Sequence, residues 1–277
     1  MEIIINQSML LQYFILFLFG MAVGSFLNVV VYREISGQSK KNKSWLPAWA
    51  RGRSYCDHCR KKIPWYDNIP VISYIILGGK CRGCKKPINI QYPFVEILTA
   101  LEFIWIYWLL SQVSFFGRLE GFYSFALLIY WLYMFSSLLV IAVADFRAGI
   151  IPDWVIFPAI LISLIRIVES GRWSLIPAGF ECASIFLILY LLTKGKGLGF
   201  GDVKFGFLIG LFLGYPLFLV AVFLAFLTGA TVAVILLLLG KKRFGQTIPF
   251  GPFLVAGTVI AKIWGPLIWT WYFGLLK

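Results

Sequence analysis

"KGLGFGDVKFGFLIGLFLG", residues Lys196–Gly214, sets a single carboxylate, Asp202, behind a chain of glycines and at the mouth of an apolar run. An aspartate at a helix start accepts backbone N–H bonds, and a cap is the plain reading of Asp202. Three glycines at Gly197, Gly199 and Gly201 exceed what a cap requires. They let the backbone bend and let another chain approach closely. Beyond the acid, Gly206, Gly210 and Gly214 continue at a spacing of four, one face of a helix. Such stripes let membrane helices pack tightly, and this one is read as the surface that carries Asp202 toward a second acid.

The rest of the chain has the same character. It has 277 residues, 60% hydrophobic and only 13% charged, more apolar surface than a soluble domain needs. Several windows run about 20 residues with hardly a charge, enough to cross a hydrocarbon core of about 30 Å. Backbone groups in lipid must be satisfied within each segment, and the runs do not alternate as barrel strands do. The sequence therefore predicts an all-α polytopic membrane protein of about eight transmembrane helices. Spans are expected near 10–32, 93–112, 123–144, 153–168, 174–193, 203–214, 217–239 and 250–276. The domains read as a first transmembrane helix (1–32), a cytoplasmic loop domain (33–92) and a multi-helix membrane domain (93–277).

The net charge of +13 is a topology signal. With the N-terminus outside, the inner loops and an adjoining helix end hold 20 of the 25 Lys and Arg. No nucleic-acid partner follows from that charge. Attraction to anionic membrane lipid does. No Lys or Arg precedes the first span, so it is expected to remain as an anchor.

Residues 33–92 carry four of the five cysteines, as Cys56-Asp-His-Cys59 and Cys81-Arg-Gly-Cys84. Each pair forms a knuckle that aims two thiolates at one ion, and two knuckles make a closed tetrahedral site. Structural zinc on Cys56, Cys59, Cys81 and Cys84 is the first reading. A redox pair, disulfides or an iron centre are the alternatives. A loop of this size with few aliphatic residues needs such a staple to fold. His58, the only histidine, reads as a solvated knuckle residue, and Cys182 as a small buried hydrophobe. One histidine inside a cysteine knuckle leaves no Ser-His or Cys-His machine and no H-E-x-x-H site.

Carboxylates remain. Asp145 lies in "IAVADFRAGIIPDW", where a long apolar helix reaches the side at which the Asp202 helix begins. Alone, Asp145 reads as an interfacial partner of Arg147, and Asp153 after Pro152 as a helix-start charge. Asn28 inside the first span reads as a helix–helix bond. Asp145 and Asp202 together read differently. Two close carboxylates share a proton, so one activates water while the other protonates a carbonyl. A transporter with a zinc-stapled loop is the competing class. It disagrees with acids near one face and with the lack of a repeated half.

In order along nearly the whole chain stand "GSFLNVVVYR" (Gly24–Arg33), the doubled CxxC, "DNIPVISYIILGGKCRGC", "YPFVE", "ADFRAGIIPD", "GLGFGDVK" and "IPFGPFL" (Ile248–Leu254). In this the chain resembles the type IV prepilin peptidases, the leader peptidase/N-methyltransferases of bacterial inner membranes. The resemblance implies that Asp145 and Asp202 are the catalytic aspartates of a GxGD-type protease. It implies prepilin or pseudopilin precursors as partners, cleavage after glycine on the cytoplasmic side, and N-methylation from S-adenosylmethionine. A peptidase lacking the methyltransferase is the alternative within the class, but the four-cysteine loop is retained. The position of Arg147 is often acidic in that family. Its substitution leaves the aspartate assignment intact.

Overall fold

The structure is a computed structural model that describes residues 7–35, 54–56, 58–112, 122–195, 197–241, 243 and 248–275. Residues 36–53 of the expected loop and the expected outer segment around Arg118 lie outside the described residues. Among those described, nine α-helices and one 3₁₀ turn (Trp65–Asn68) make up the regular structure, with two isolated β-bridges. The helices are α1 (Gln7–Ile35), α2 (Ile72–Ile76), α3 (Gln91–Gln112), α4 (Phe122–Ala148) and α5 (Asp153–Ser170). They continue as α6 (Leu175–Leu192), α7 (Phe200–Leu213), α8 (Leu217–Leu238) and α9 (Gly251–Leu275).

Six of them, α1, α3, α4, α6, α8 and α9, are long and apolar enough to cross a membrane, so the protein is a multi-pass helical membrane protein. The other two expected spans are also helical, with different dimensions. The 18 residues of α5 include Asp153, Arg166 and Glu169. The 14 residues of α7 reach about 21 Å at 1.5 Å per residue, short of a bilayer core.

The chain divides into two compact units, Met1–Ser136 and Ser137–Lys277. In the first, α1 packs along α3. The seam is a small-residue stripe. A Cβ on Gly20 would lie 2.6 Å from the Ala100 Cα, and one on Gly24 would lie 2.7 Å from the Glu96 Cα. One turn further, Asn28 Nδ2 donates to the Tyr92 carbonyl at 3.0 Å. The helix–helix bond expected of Asn28 is thus present, and it closes the register set by the glycines.

In the second unit α6 packs on α7 and α8 on α9, while α5 and α9 also touch α7. The glycine stripe of α7 faces α6, and not α4. A Cβ on Gly206 would meet the Phe186 ring at 2.5 Å, and one on Gly210 would run into the Ala178 carbonyl and lie 2.6 Å from the Gly179 Cα. The stripe therefore docks the helix that carries Asp202 onto α6. Spacing reveals a tight face but not its partner, which here is α6.

Since α7 is short, its C-terminal carbonyls end inside the bundle. Lys262, in the middle of α9, donates from Nζ to the Phe212 carbonyl at 3.0 Å and lies over the Phe212 ring, 4.4 Å from its centroid. A cation at a helix C-terminus is favourably placed. That contact accounts for a lysine within an otherwise apolar span.

Candidate active site and metal centre

Asp145 occupies the last turn of α4. The helix ends because Gly149 turns left-handed (φ +63°), with its N–H donating to the Asp145 carbonyl at 2.8 Å. The Asp145 side chain is only 6% exposed. Its Oδ2 accepts the Gly251 N–H at 2.7 Å, from the first residue of α9. This is a carboxylate on a helix N-terminus, where the dipole and the unpaired N–H groups favour it. Among the described residues the bond to Gly251 is made and an ion pair with Arg147 is not, so the Arg147 reading is not supported.

Gly251 is required for the approach. A Cβ there would lie 2.8 Å from Asp145 Oδ2 and 2.9 Å from its Cβ. Gly251→Ala should therefore push the carboxylate aside. Displacements near 1 Å cost about 100-fold in rate. Cleavage by the purified variant should fall on that order, with zinc content unchanged.

Asp202 is the third residue of α7 and is 8% exposed. Its Oδ2 accepts the Gly199 N–H at 2.9 Å, while its own N–H donates to the Gly199 carbonyl at 3.1 Å. The cap expected of an aspartate here is thus present, as a reciprocal box with the N-cap glycine. It occupies one oxygen. In both aspartates Oδ1 makes no hydrogen bond to the described residues. Asp202 stands outside all six candidate spans. Its carboxyl is pushed up to about 6 by burial, against the pull of the Gly199 N–H, and the charge of Asp145 raises it further. The two acids, 57 positions apart in sequence, are therefore electrostatic neighbours.

Asp153 differs. It is the first residue of α5, follows the N-cap Pro152, and pairs with Lys204 Nζ at 2.5 Å on an exposed surface. Its structural reading stands.

The four loop cysteines converge. Their sulfurs all lie within 4.8 Å of one another, and Cys56 Sγ is 3.8 Å from Cys84 Sγ. A tetrahedral zinc with Zn–S near 2.3 Å implies sulfur separations of about 3.8 Å, so the donor set fits that ion. The two knuckles repeat one geometry. Cys56 N–H donates to the Lys61 carbonyl and Arg60 N–H to the Cys56 carbonyl, each at 3.0 Å. Cys81 with Lys86, and Lys85 with Cys81, repeat this at 2.9 Å. Arg60 (φ +57°) and Lys85 (φ +58°) make the left-handed step that closes each turn. The N–H groups of Cys84 and Gly83 pull the Cys81 thiol down to about 7, while burial pushes Cys56 up to about 11. His58 is exposed, as expected of a solvated knuckle residue.

The purified protein should carry about one zinc per chain, and Cys56→Ser or Cys81→Ser should release it and loosen the loop. Elemental analysis checks this. An iron-type visible spectrum or a metal-free protein would refute it.

Several site features went unread in the sequence. The Gly251–Asp145 bond is one, although a Gly-Pro pair opening an apolar run signals a helix start. Glu96 is another. It is buried in α3, and its Oε2 accepts the Val71 N–H at 2.7 Å.

A four-cysteine module joined to a bundle of membrane helices, with two buried carboxylates at helix termini, defines a class of multi-pass membrane protein. Comparison with known proteins narrows it. Residues 18–110 match the Bacterial Peptidase A24 N-terminal domain, and residues 132–234 match the Type IV leader peptidase family. The chain is 31% identical to a prepilin leader peptidase/N-methyltransferase of Legionella pneumophila, over 95% of each chain. It is 32% identical to the protein of that name from Aeromonas hydrophila, over 95% of this chain and 94% of the relative. With the Pseudomonas aeruginosa relative the identity is 30%, over 91% and 90%. No solved structure matches. The chain belongs to the type IV leader peptidase family and is an enzyme of that family.

Proposed function

We propose that this enzyme is an aspartic endopeptidase of the bacterial inner membrane, with Asp145 and Asp202 as its catalytic pair. Its substrates are prepilin or pseudopilin precursors, whose basic leader it removes by cutting after glycine. It then N-methylates the new terminal residue. The observation that carries the peptidase reading is the neighbourhood of two buried carboxylates, each with one oxygen held by a backbone N–H.

Two such groups do not both ionise cheaply, so they hold one proton between them. The ionised member takes a proton from water, and the resulting hydroxide attacks the carbonyl carbon of the scissile bond. The protonated member gives its proton to the carbonyl oxygen. As the tetrahedral adduct collapses, the C–N bond breaks and the leaving amine takes up a proton. The water oxygen ends in the carboxylate of the leader. Gly199 keeps the backbone beside Asp202 free of a side chain, whereas the absent side chains of Gly197 and Gly201 admit Thr193 and Ile151.

The Lys/Arg distribution supports a cytoplasmic active site and a periplasmic N-terminus. We assign the peptidase to 93–277 and methyl transfer to the zinc-stapled loop of 33–92. Zinc there is structural, since four thiolates leave no open position. S-adenosylmethionine is the methyl donor. The relatives' names and the retained loop support that half of the reading.

Mass spectrometry of a precursor with a Gly-Phe junction, incubated with purified enzyme, reports both steps. Leader loss should occur without S-adenosylmethionine, and a methyl mass shift only with it. An uncut precursor would overturn the proposal. Cleavage without the shift would reduce it to the peptidase.

A further inference from the structure

The short helix α2 has its faces reversed for a water-soluble element. Its polar Ser73 is buried and donates to the Tyr66 carbonyl at 2.8 Å, which ties α2 to the 3₁₀ turn. Its apolar side chains point outward. Ile72, Ile75 and Ile76, at positions i, i+3 and i+4 of one face, are 49%, 70% and 73% exposed. Trp65 in the adjoining turn is 77% exposed. Presenting such a patch to water is costly, and soluble proteins rarely do so without a partner.

The depth of this element is set by Glu96. Val71, immediately before α2, donates its N–H to Glu96 Oε2 at 2.7 Å. Glu96 is the sixth residue of the membrane-spanning helix α3. At 1.5 Å per residue it lies about 8 Å along that helix from its first residue. The bond therefore draws the start of α2 down alongside the second turn of a membrane span. Val71 adopts φ +59° to make it, a conformation that a β-branched residue rarely takes. The outer surface of α3 is apolar from its first turn, with Ile90 just before it 73% exposed and Phe94 61% exposed. The patch on α2 thus starts at the level where the lipid-facing surface of α3 starts.

Charge agrees. Lys61, Lys62, Lys80, Lys85 and Lys86 of the same loop are all exposed. Asp67 is taken up by a two-pronged pair with Arg82, at 2.7 and 2.8 Å. We propose that α2 and the Trp65 turn lie in the membrane interface, seated among the headgroups and upper acyl chains of an anionic bilayer. Trp favours that level, apolar faces enter it, and lysines gather at anionic headgroups. The loop then has two fixed points beyond its knuckles, Glu96 and the bilayer. Neither depends on the peptidase assignment.

The test uses the full chain in nanodiscs containing phosphatidylglycerol. Tryptophan emission is compared between the parental protein and Trp65→Phe, a conservative change at an exposed site, so that the difference is the signal of Trp65. Lipids brominated near the headgroup end of their chains should remove the larger part of that difference, and iodide in the water should remove little. Quenching mainly by iodide would mean that the patch faces water. Resistance to both would mean that protein covers it, whether substrate or another part of the chain. Either result overturns the proposal.

Discussion

Asp145→Asn and Asp202→Asn enzymes should each leave a prepilin-like precursor uncut. General acid–base groups contribute about 10²–10⁴-fold each. A pair that shares one proton acts as a unit, so losing either member removes both roles. The double variant should then be no worse than either single one. Asparagine also keeps the side-chain oxygen that Gly251 or Gly199 holds, so the α9 contact and the α7 cap persist. Zinc content should stay parental, and a peptide supplied already cut should still be methylated. Asp153→Asn gives the contrast. It removes only an exposed ion pair with Lys204, worth at most about 1 kcal/mol, and cleavage should be nearly unchanged.

The second large effect is expected at Gly210. Leucine there must separate α7 from α6, since even a bare Cβ would lie 2.6 Å from the Gly179 Cα and collide with the Ala178 carbonyl. The obstacle is backbone and cannot rotate away. Asp202 lies two turns upstream on the same face, so the separation carries it off its place. A shift of about 1 Å costs about 100-fold in cleavage. Gly210→Ala, which spacing alone predicts to be far milder, should also impair the enzyme, because overpacking of this kind costs about 1–3 kcal/mol. Rate assays on folded, zinc-loaded proteins decide it. Parental cleavage by Gly210→Leu would mean that the α6–α7 seam does not position Asp202.

Features written as local spacing were legible in the sequence. The two CxxC knuckles show because a knuckle is a five-residue turn. Asn28 shows because a polar group within a span must find a bond, here Tyr92. The helices show because lipid demands uniform apolar runs. Partnership was less legible. The stripe at Gly206, Gly210 and Gly214 announces a close neighbour, and α6 and α4 are equally eligible in one dimension. Length was deceptive too. The run 203–214 reads as a span, but its helix has only 14 residues, too few for a bilayer core, and a lysine from α9 meets its end. The Gly251 bond and the Val71–Glu96 bond join distant segments through one backbone N–H each. No residue type marks such a donor, since nearly every residue has one.

The most direct test of the aspartate pair is single-turnover cleavage of a Gly-Phe precursor in ¹⁸O-labelled water, with hydroxylamine present, by the parental, Asp145→Asn and Asp202→Asn enzymes. Mass spectrometry of the released leader reads the chemistry. One ¹⁸O is expected in the new glycine carboxylate with the parental enzyme, no leader hydroxamate, and no product from either variant. Leader released at near-parental rate by either variant, or a hydroxamate that betrays an acyl-enzyme, would contradict the aspartate pair.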